Sequence, residues 1–445
     1  MDAFVSRKRK RVAEPETQWP RPPPEKQVPE EEDSTDFKLA CLTSLHPNVD
    51  ESTLLEALLA SEGSVEQASE WLTKRNTTSP RKRATPSSVG FQSSLSSYRI
   101  PTPGSGPTKK QLVKKGQTLH LYSPEDIEAH TPCSIIHNFL PSKQADSLLM
   151  QLLEEADTYK SIEFKLFDKV VWSPHTCCFY VNSMAEAEEQ RTEYMYDGRK
   201  DVRQSVPEML KACPHVEQAV NREVQRRIRD FYPDGKKLPH QSPHPWKANT
   251  AFVNCYDGGK ESVGYHADQL TYLGPRAVIG SLSLGVARQF RVRKMVAQDA
   301  DDDAHGKKKV DGRLLAADAQ GQISIHLPHN SLLIMHAEMQ EEWKHAIAPA
   351  QAIDPHPLAK NKRLNITYRY YKDHLHPKYT PKCKCGVPTV LRCATRKKES
   401  RGRYMWMCHT HYVPGQDGCG FFQWAEFDDD GEPPWAGKVE VVPFT

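Results

Sequence analysis

The run Arg363-Leu364-Asn365-Ile366-Thr367-Tyr368-Arg369 decides how the middle of this 445-residue chain is read. It alternates strictly. In an extended strand Arg363, Asn365, Thr367 and Arg369 share one face, and Leu364, Ile366 and Tyr368 share the other. Two readings follow. An ordinary amphipathic strand would turn its polar row to water, the commoner case. Inside a β-sandwich the same row would line a pocket, and two guanidiniums there suit a dicarboxylate, because each grips a carboxylate through paired hydrogen bonds.

The surroundings favour a sandwich. Ala277–Leu284, Phe290–Arg293, Ile323–Leu327 and Ser331–Met335 are short strand-like runs separated by turns. At this density over residues 119–380 they predict a jelly roll (double-stranded β-helix), mainly β with flanking helices. A helix is expected only around 141–157. Gln298–Arg313 joins an acidic run to Lys307-Lys308-Lys309 and predicts a surface loop between strands.

Upstream, His266-Ala267-Asp268 places an imidazole and a carboxylate at i and i+2, on one face of an extended segment. Two nitrogens and an oxygen on one side of a metal suit a non-haem Fe(II) oxygenase. Alone, such a tripeptide is also what a surface His beside a surface Asp would give.

Asn254-Cys255-Tyr256, His266-x-Asp268, Trp343-Lys344-His345 and the Arg363–Arg369 run follow one another in the order of the AlkB-like dioxygenases. Ile279–Phe290 (IGSLSLGVARQF) and Leu332–His345 (LLIMHAEMQEEWKH) also resemble that family, over roughly residues 130–375. The resemblance implies that His266, Asp268 and His345 are catalytic iron ligands. It implies that Asn254, Tyr256, Arg363, Asn365 and Arg369 bind 2-oxoglutarate, with both arginines on its carboxylates. With O2 as co-reactant, an N-alkyl group on a nucleic-acid base would be hydroxylated and lost as an aldehyde. A paired base would first have to leave the stack.

The substrate-facing positions depart from the family pattern. Leu270 stands where many members carry an acidic, base-reading residue. Pro174-His175 followed by Tyr180 matches the family's Pro-Arg…Tyr lid except at the arginine. Tyr180, His175, Trp246 and Leu270 are candidates to contact a base, while Tyr180 and Trp246 would serve equally as core aromatics.

Residues 381–430 form a Cys- and aromatic-rich module. Cys383-x-Cys385, Cys408 and Cys419 supply four thiolates, enough for a closed structural zinc site, with Cys393, His409 and His411 as possible substitutes. Gly402-Arg403-Tyr404 and Cys419-Gly420-Phe421-Phe422-x-Trp424 resemble the GRF-type zinc finger, over about 382–428. That resemblance implies single-strand binding, which Arg396, Lys397, Lys398, Arg401 and Arg403 beside aromatics would serve. Deleting 382–445 is expected to weaken strand binding and spare the chemistry. Residues 431–445 are expected to be a tail.

At the other end, residues 1–35 hold six prolines and many charges, and are expected to be disordered. Residues 36–75 carry leucines at helical spacing and a capping box at Ser64–Gln67, and predict a small three-helix bundle. The bundle resembles a CUE-type domain, which implies ubiquitin contacts through Leu45, Pro47, Trp71 and Leu72. A plain helical spacer, or another protein partner, is the alternative. Residues 76–118 read as a linker.

The formal net charge of +3 names no partner, but Arg7-Lys8-Arg9-Lys10-Arg11 and Arg81-Lys82-Arg83 are compact basic clusters. They read as nuclear-import or nucleic-acid-attraction segments, or as solvated charge in a tail. No membrane span or secretory leader is expected. Eleven cysteines then belong to a reducing compartment, with Cys133, Cys177, Cys178, Cys213 and Cys255 in the core. The expected activity is nuclear oxidative dealkylation of alkylated DNA. The alternatives are an RNA or protein substrate for the same chemistry, or a non-catalytic adaptor joining ubiquitin to single-stranded DNA.

Overall fold

The computed structural model describes residues 51–61, 64–78, 118–166, 169–185, 201–295, 321–395, 397–410 and 418–438, with Leu42, Leu45, His46 and Val49. The expected tail 1–35, most of the linker, the loop at 298–313, Pro47, Arg396, His411 and both basic clusters lie outside these residues.

Two sheets build the centre. The larger runs β2 (Cys133–Ile136), β11 (Ser331–Met335), β8 (Ile279–Gly285), β13 (Lys362–Arg369), β6 (Thr250–Asp257), β4 (Lys169–Val181) and β3 (Lys160–Leu166), with β5 (Val202–Gln204) paired to β4. The smaller runs β1 (Thr118–Leu121), β10 (Gln322–Leu327), β9 (Arg288–Lys294), β12 (Trp343–Ile347) and β7 (Val263–His266). Ile279, Leu333 and Met335 of the first share a buried cluster with Phe290, Val292 and Ile325 of the second. The core is therefore mainly β and of jelly-roll type. All five cysteines assigned to it are buried.

The other face of the larger sheet is covered by α1 (Ser142–Ala156) and α2 (Pro207–Phe231). Leu364, Ile366 and Tyr368 of β13 join Leu148 and Leu152 of α1 and Val216 and Val220 of α2 in one core. Gly280 permits the close approach: a Cβ there would stand 3.1 Å from Val220 Cγ2 and 3.3 Å from Val216 Cγ1. The apolar row of β13 thus faces the helices, and its polar row faces the space between the sheets.

Helix α2 was not expected. Met209, Ala212, Cys213, Val216, Ala219 and Val220 lie on its buried side at helical spacing. Pro214 within it argues against a helix interior, and the charged residues of its second half lower its mean hydropathy. Packing outweighs the proline's cost.

In the N-terminal segment, helices span Glu51–Ala60 and Val65–Thr78. The second runs three residues past the expected boundary at 75. Leu42, Leu54, Leu58, Val65, Ala68 and Leu72 form their core, with Leu45 and Trp71 packed against it. Leu72 is 2% exposed, which corrects its expected place on a ubiquitin-facing surface. Ser64 Oγ accepts from Gln67 N as the capping box predicts.

The C-terminal strands β14 (Val390–Cys393), β15 (Tyr404–Met407) and β16 (Phe422–Ala425) form a third sheet. It is not a separable appendage. Leu391, Tyr404 and Trp406 belong to the same buried cluster as Leu270, Phe290 and Met339. Nor do residues 431–438 trail away: Glu432 pairs with His374 at 3.0 Å, and Trp435 Nε1 donates to the His374 carbonyl. Among the described residues no helix is long and apolar enough to cross a membrane.

Ile366 is fully buried between sheet and helices. Ile366→Ala should destabilise the protein by about 2–5 kcal/mol in urea unfolding. A loss below about 1 kcal/mol would contradict this packing.

Candidate functional site

His266 closes β7 and His345 lies on β12, and the two are register partners. Their rings sit 4.3 Å apart. Asp268 follows two residues after His266, and its Oδ1 lies 3.9 Å from His266 Nε2 and 3.6 Å from His345 Nε2. One ligand atom from each of the three falls within 4.8 Å of the others.

The surroundings prepare each ligand, by a hydrogen bond at His266 and Asp268 and by burial at His345. His266 Nδ1 lies 2.8 Å from the Gly264 carbonyl, so it carries the proton and leaves the Nε2 lone pair for a metal. Burial, with His266 nearby, pulls the His345 pKa down to about 3 and keeps that ring neutral. Burial alone would raise Asp268, but Arg369, His345 and His266 more than offset it and hold the carboxylate below its ordinary range. Arg369, expected on a cosubstrate carboxylate, instead takes Asp268 Oδ2 at 2.7 Å from Nε and 2.6 Å from a terminal nitrogen, leaving Oδ1 toward the histidines. The Asp268 backbone N–H donates to Gln340 Oε1 at 2.7 Å. Two imidazole nitrogens and one carboxylate oxygen turned toward one point fit Fe(II) as a facial triad.

Beside the triad, the polar row of β13 is buried: Arg363 is 1% exposed, Asn365 7% and Thr367 6%. Its pairing with β8 and β6 fixes this inward orientation. Arg363 donates to Ser283 Oγ and Asn365 Oδ1, each at 2.9 Å, and Ser281 Oγ donates to the same Asn365 oxygen. Asn365 Nδ2 donates to Thr367 Oγ1. Two further nitrogens of Arg363, Nε and Nη1, are buried without a hydrogen-bond partner. Burial lowers the Arg363 pKa to about 10, so the group stays cationic at neutral pH. A buried cation with unmet donors fits a carboxylate of 2-oxoglutarate.

Tyr256 lies 5.4 Å from the Arg363 guanidinium carbon and 4.8 Å from the stacked ring of His175. His175 Nε2 lies 3.0 Å from Asn254 Oδ1, and burial drops its pKa to about 4. Expected beside a base, His175 instead belongs with the residues of the expected cosubstrate pocket. Arg288, Gln340 and the serines of β8 were missed. Arg288 is buried, donates to three or more backbone carbonyls including Glu261 and Ala348, and stands over Tyr256. Only the alternation of β8 and β9 could have flagged the serines and Arg288.

Three expected base contacts are core residues. Tyr180 is fully buried, and its hydroxyl bonds Tyr159 and Glu155. Trp246 packs among the helix-facing residues, and its Nε1 donates to the Val278 carbonyl. Leu270 is 3% exposed, in the cluster shared with the C-terminal sheet.

The C-terminal thiols converge as expected. Cys383, Cys385, Cys408 and Cys419 place one sulfur each within 4.8 Å of the others, an arrangement that could hold zinc. Cys393 is outside the group and its thiol faces the Ala394 carbonyl. On the outer side, Met405 pairs with Trp424 and Met407 with Phe422 across β15 and β16. Phe422 and Trp424 are exposed, and the Arg403 guanidinium lies 3.9 Å from the Trp424 ring centroid. Lys397 and Lys398 are exposed, whereas Arg401 is half-buried and donates to the Met295 carbonyl.

Residues 132–369, more than half of the chain, match the family model of the 2OG-Fe(II) oxygenase superfamily. The chain is similar to DNA oxidative demethylase ALKBH2 of Arabidopsis thaliana, 32% identical over 125 residues, 27% of this chain and 37% of that protein. Alpha-ketoglutarate-dependent dioxygenase alkB homolog 3 of Homo sapiens is 31% identical over 121 residues, 27% of this chain and 36% of that one. The match thus spans little more than a third of the curated relatives' length.

Asp268→Ala removes one metal ligand and strands the Arg369 cation. Its Fe(II) affinity in anaerobic dialysis should fall by more than the roughly 10–100-fold that losing an outer-shell partner costs. Tyr180→Phe, which loses only the bonds to Tyr159 and Glu155, should leave that affinity unchanged.

With an inward-facing His-Asp-His cluster beside a buried arginine row, and a family match over most of the sandwich, this chain belongs to the 2OG-Fe(II) oxygenase superfamily.

Proposed function

We propose that the chain is a 2-oxoglutarate-dependent dioxygenase that removes alkyl groups from nucleic-acid bases, with DNA as the principal substrate. The observation that carries the cosubstrate is Arg363, a buried cation with two unmet donors, on the strand whose other end holds Asp268 through Arg369. The names of the relatives support the substrate class: one is called a DNA oxidative demethylase.

Bound iron and 2-oxoglutarate would supply, with O2, the oxidant for an unactivated C–H bond. Overall, 2-oxoglutarate and O2 become succinate and CO2, and one oxygen atom enters the N–CH3 carbon. The resulting N–CH2OH group then releases formaldehyde and the free base nitrogen. The chain's own part is placement. His266, Asp268 and His345 would hold the metal on one side; Arg363, with Asn254, Tyr256 and Asn365 nearby, would receive the cosubstrate. Arg369 keeps Asp268 ionised and oriented. The dense hydrogen bonding among Ser281, Ser283, Asn365 and Thr367 keeps the row in one arrangement. With Leu270, Tyr180 and Trp246 in the core, base selection falls to other residues.

The C-terminal sheet is proposed to hold single strands. Phe422, Trp424 and Arg403 make an exposed stacking platform with Lys397 and Lys398 nearby, and the four cysteines would hold a structural zinc. Nuclear residence, through the basic clusters at 7–11 and 81–83, and ubiquitin recruitment through Leu45 and Trp71 complete the proposal.

Formaldehyde release should appear with N-methylated single-stranded DNA, in the presence of Fe(II) and 2-oxoglutarate, with succinate formed in equal amount. Arg363→Met should raise the KM for 2-oxoglutarate by about 100-fold or more, as expected for stripping one partner from a buried pair. No formaldehyde from any methylated DNA or RNA oligonucleotide would overturn the dealkylase reading. An unchanged KM would overturn the role of Arg363.

A further inference from the structure

The iron ligands Asp268 and His345 approach the site on two different segments, and the same buried carboxylate holds both. Glu341 lies in α3 (Met339–Glu342), the short helix that leads into β12 and His345. It is 3% exposed. Its Oε1 accepts from the backbone N–H of Arg276 at 2.7 Å, and its Oε2 faces the Arg276 guanidinium at 3.3 Å. Arg276 lies in the segment that joins Asp268 to β8. The residue before Glu341 makes the second link, since Gln340 Oε1 accepts from the Asp268 backbone N–H.

The third partner of Glu341 comes from the C-terminal sheet. Tyr404 Oη donates to Glu341 Oε1 at 2.8 Å, across 63 residues of sequence. Tyr404 is 3% exposed and is wedged edge-on between His240 and Phe427. It opens β15, four residues ahead of Cys408 of the thiolate cluster. A second bond joins the same parts: the Leu391 N–H of β14 donates to Thr271 Oγ1, three residues after Asp268.

We infer that the C-terminal sheet positions the iron site, through Tyr404 and Glu341, in addition to any contact it makes with nucleic acid. A carboxylate that accepts from a backbone amide and a phenol and is ion-paired with a guanidinium fixes its helix against the 268–276 segment. Asp268 and His345 then stand at one spacing before any metal arrives, so binding costs little ordering. Tyr404 and Glu341 touch neither metal nor cosubstrate; they are positioning residues. The inference rests on the assignment of Fe(II) to His266, Asp268 and His345.

The test uses the full-length protein under nitrogen, with Fe(II) titrated in the presence of 2-oxoglutarate and followed by the charge-transfer absorption of their complex. Tyr404→Phe removes one hydroxyl, and Glu341→Gln removes the charge at nearly constant shape. Each should weaken Fe(II) binding by about tenfold, the lower end of what outer-shell partners of metal ligands contribute. Because the two act as one unit, the double variant should lose little more than either single. Melting of the metal-free proteins is measured alongside. Unchanged Fe(II) affinity in both variants, whatever happens to melting, would overturn the inference, because a purely structural contact moves only the melting. Absence of the absorption in the unsubstituted protein would instead overturn the iron assignment itself.

Discussion

Burying a guanidinium is the constraint on which this structure turns. Arg363 is carried into the space between two sheets, where an unpaired charge is costly. Part of that cost is offset by Ser283 and Asn365; the remaining donors point to an anion of the right shape. Everything nearby follows from turning one polar row inward. The opposite row must then be apolar and covered, which is the work of α1 and α2. The next arginine along the row, Arg369, has a carboxylate of the chain itself, Asp268, and so becomes part of the metal site.

The two halves of the site are therefore one piece of architecture. β13 spans from the expected cosubstrate cation to the brace on the metal-ligating aspartate. β7 and β12 set the two histidines opposite each other by simple register. The remaining freedom lies in the segments that deliver Asp268 and His345, and those are tied through Gln340 and Glu341 to the C-terminal sheet. An element that reads as an accessory thus shares both a core and a hydrogen-bond network with the catalytic sandwich.

How much of this was legible in the chain depends on the range of each interaction. The strict period-two pattern of Arg363–Arg369 is local, and it set the polar residues on one face of a strand; whether that face met water or a pocket was decided by the pairing of β13 with β8 and β6 and by the helices behind it. The His-x-Asp pair is also local, and the cysteine grouping followed from residue type. Helix α2 keeps a clear apolar period, but Pro214 argues against a helix interior and the many charges lower its mean hydropathy, so the segment does not read as a helix. The base-contact assignments for Tyr180, Trp246 and Leu270 failed for a different reason. An aromatic or leucine is equally at home in a core, and nothing in the sequence says which way it points. The docking of the C-terminal sheet rests on contacts such as Tyr404 to Glu341, which have no local signature. His175 lay between these cases: its position was marked by the motif, and its neighbours Asn254 and Tyr256 redefined its place.

The central claim is that the inward row of β13 and the His-Asp-His cluster form one metal and cosubstrate site. Its most direct test is a crystal grown anaerobically with Mn(II) and 2-oxoglutarate, with anomalous scattering used to place the metal. The account predicts a manganese peak, distinct by its absorption edge from any zinc at the four cysteines, bonded to His266 Nε2, Asp268 Oδ1 and His345 Nε2, with a cosubstrate carboxylate against Nε and Nη1 of Arg363. No manganese on these three residues, or 2-oxoglutarate bound without touching Arg363, would contradict it.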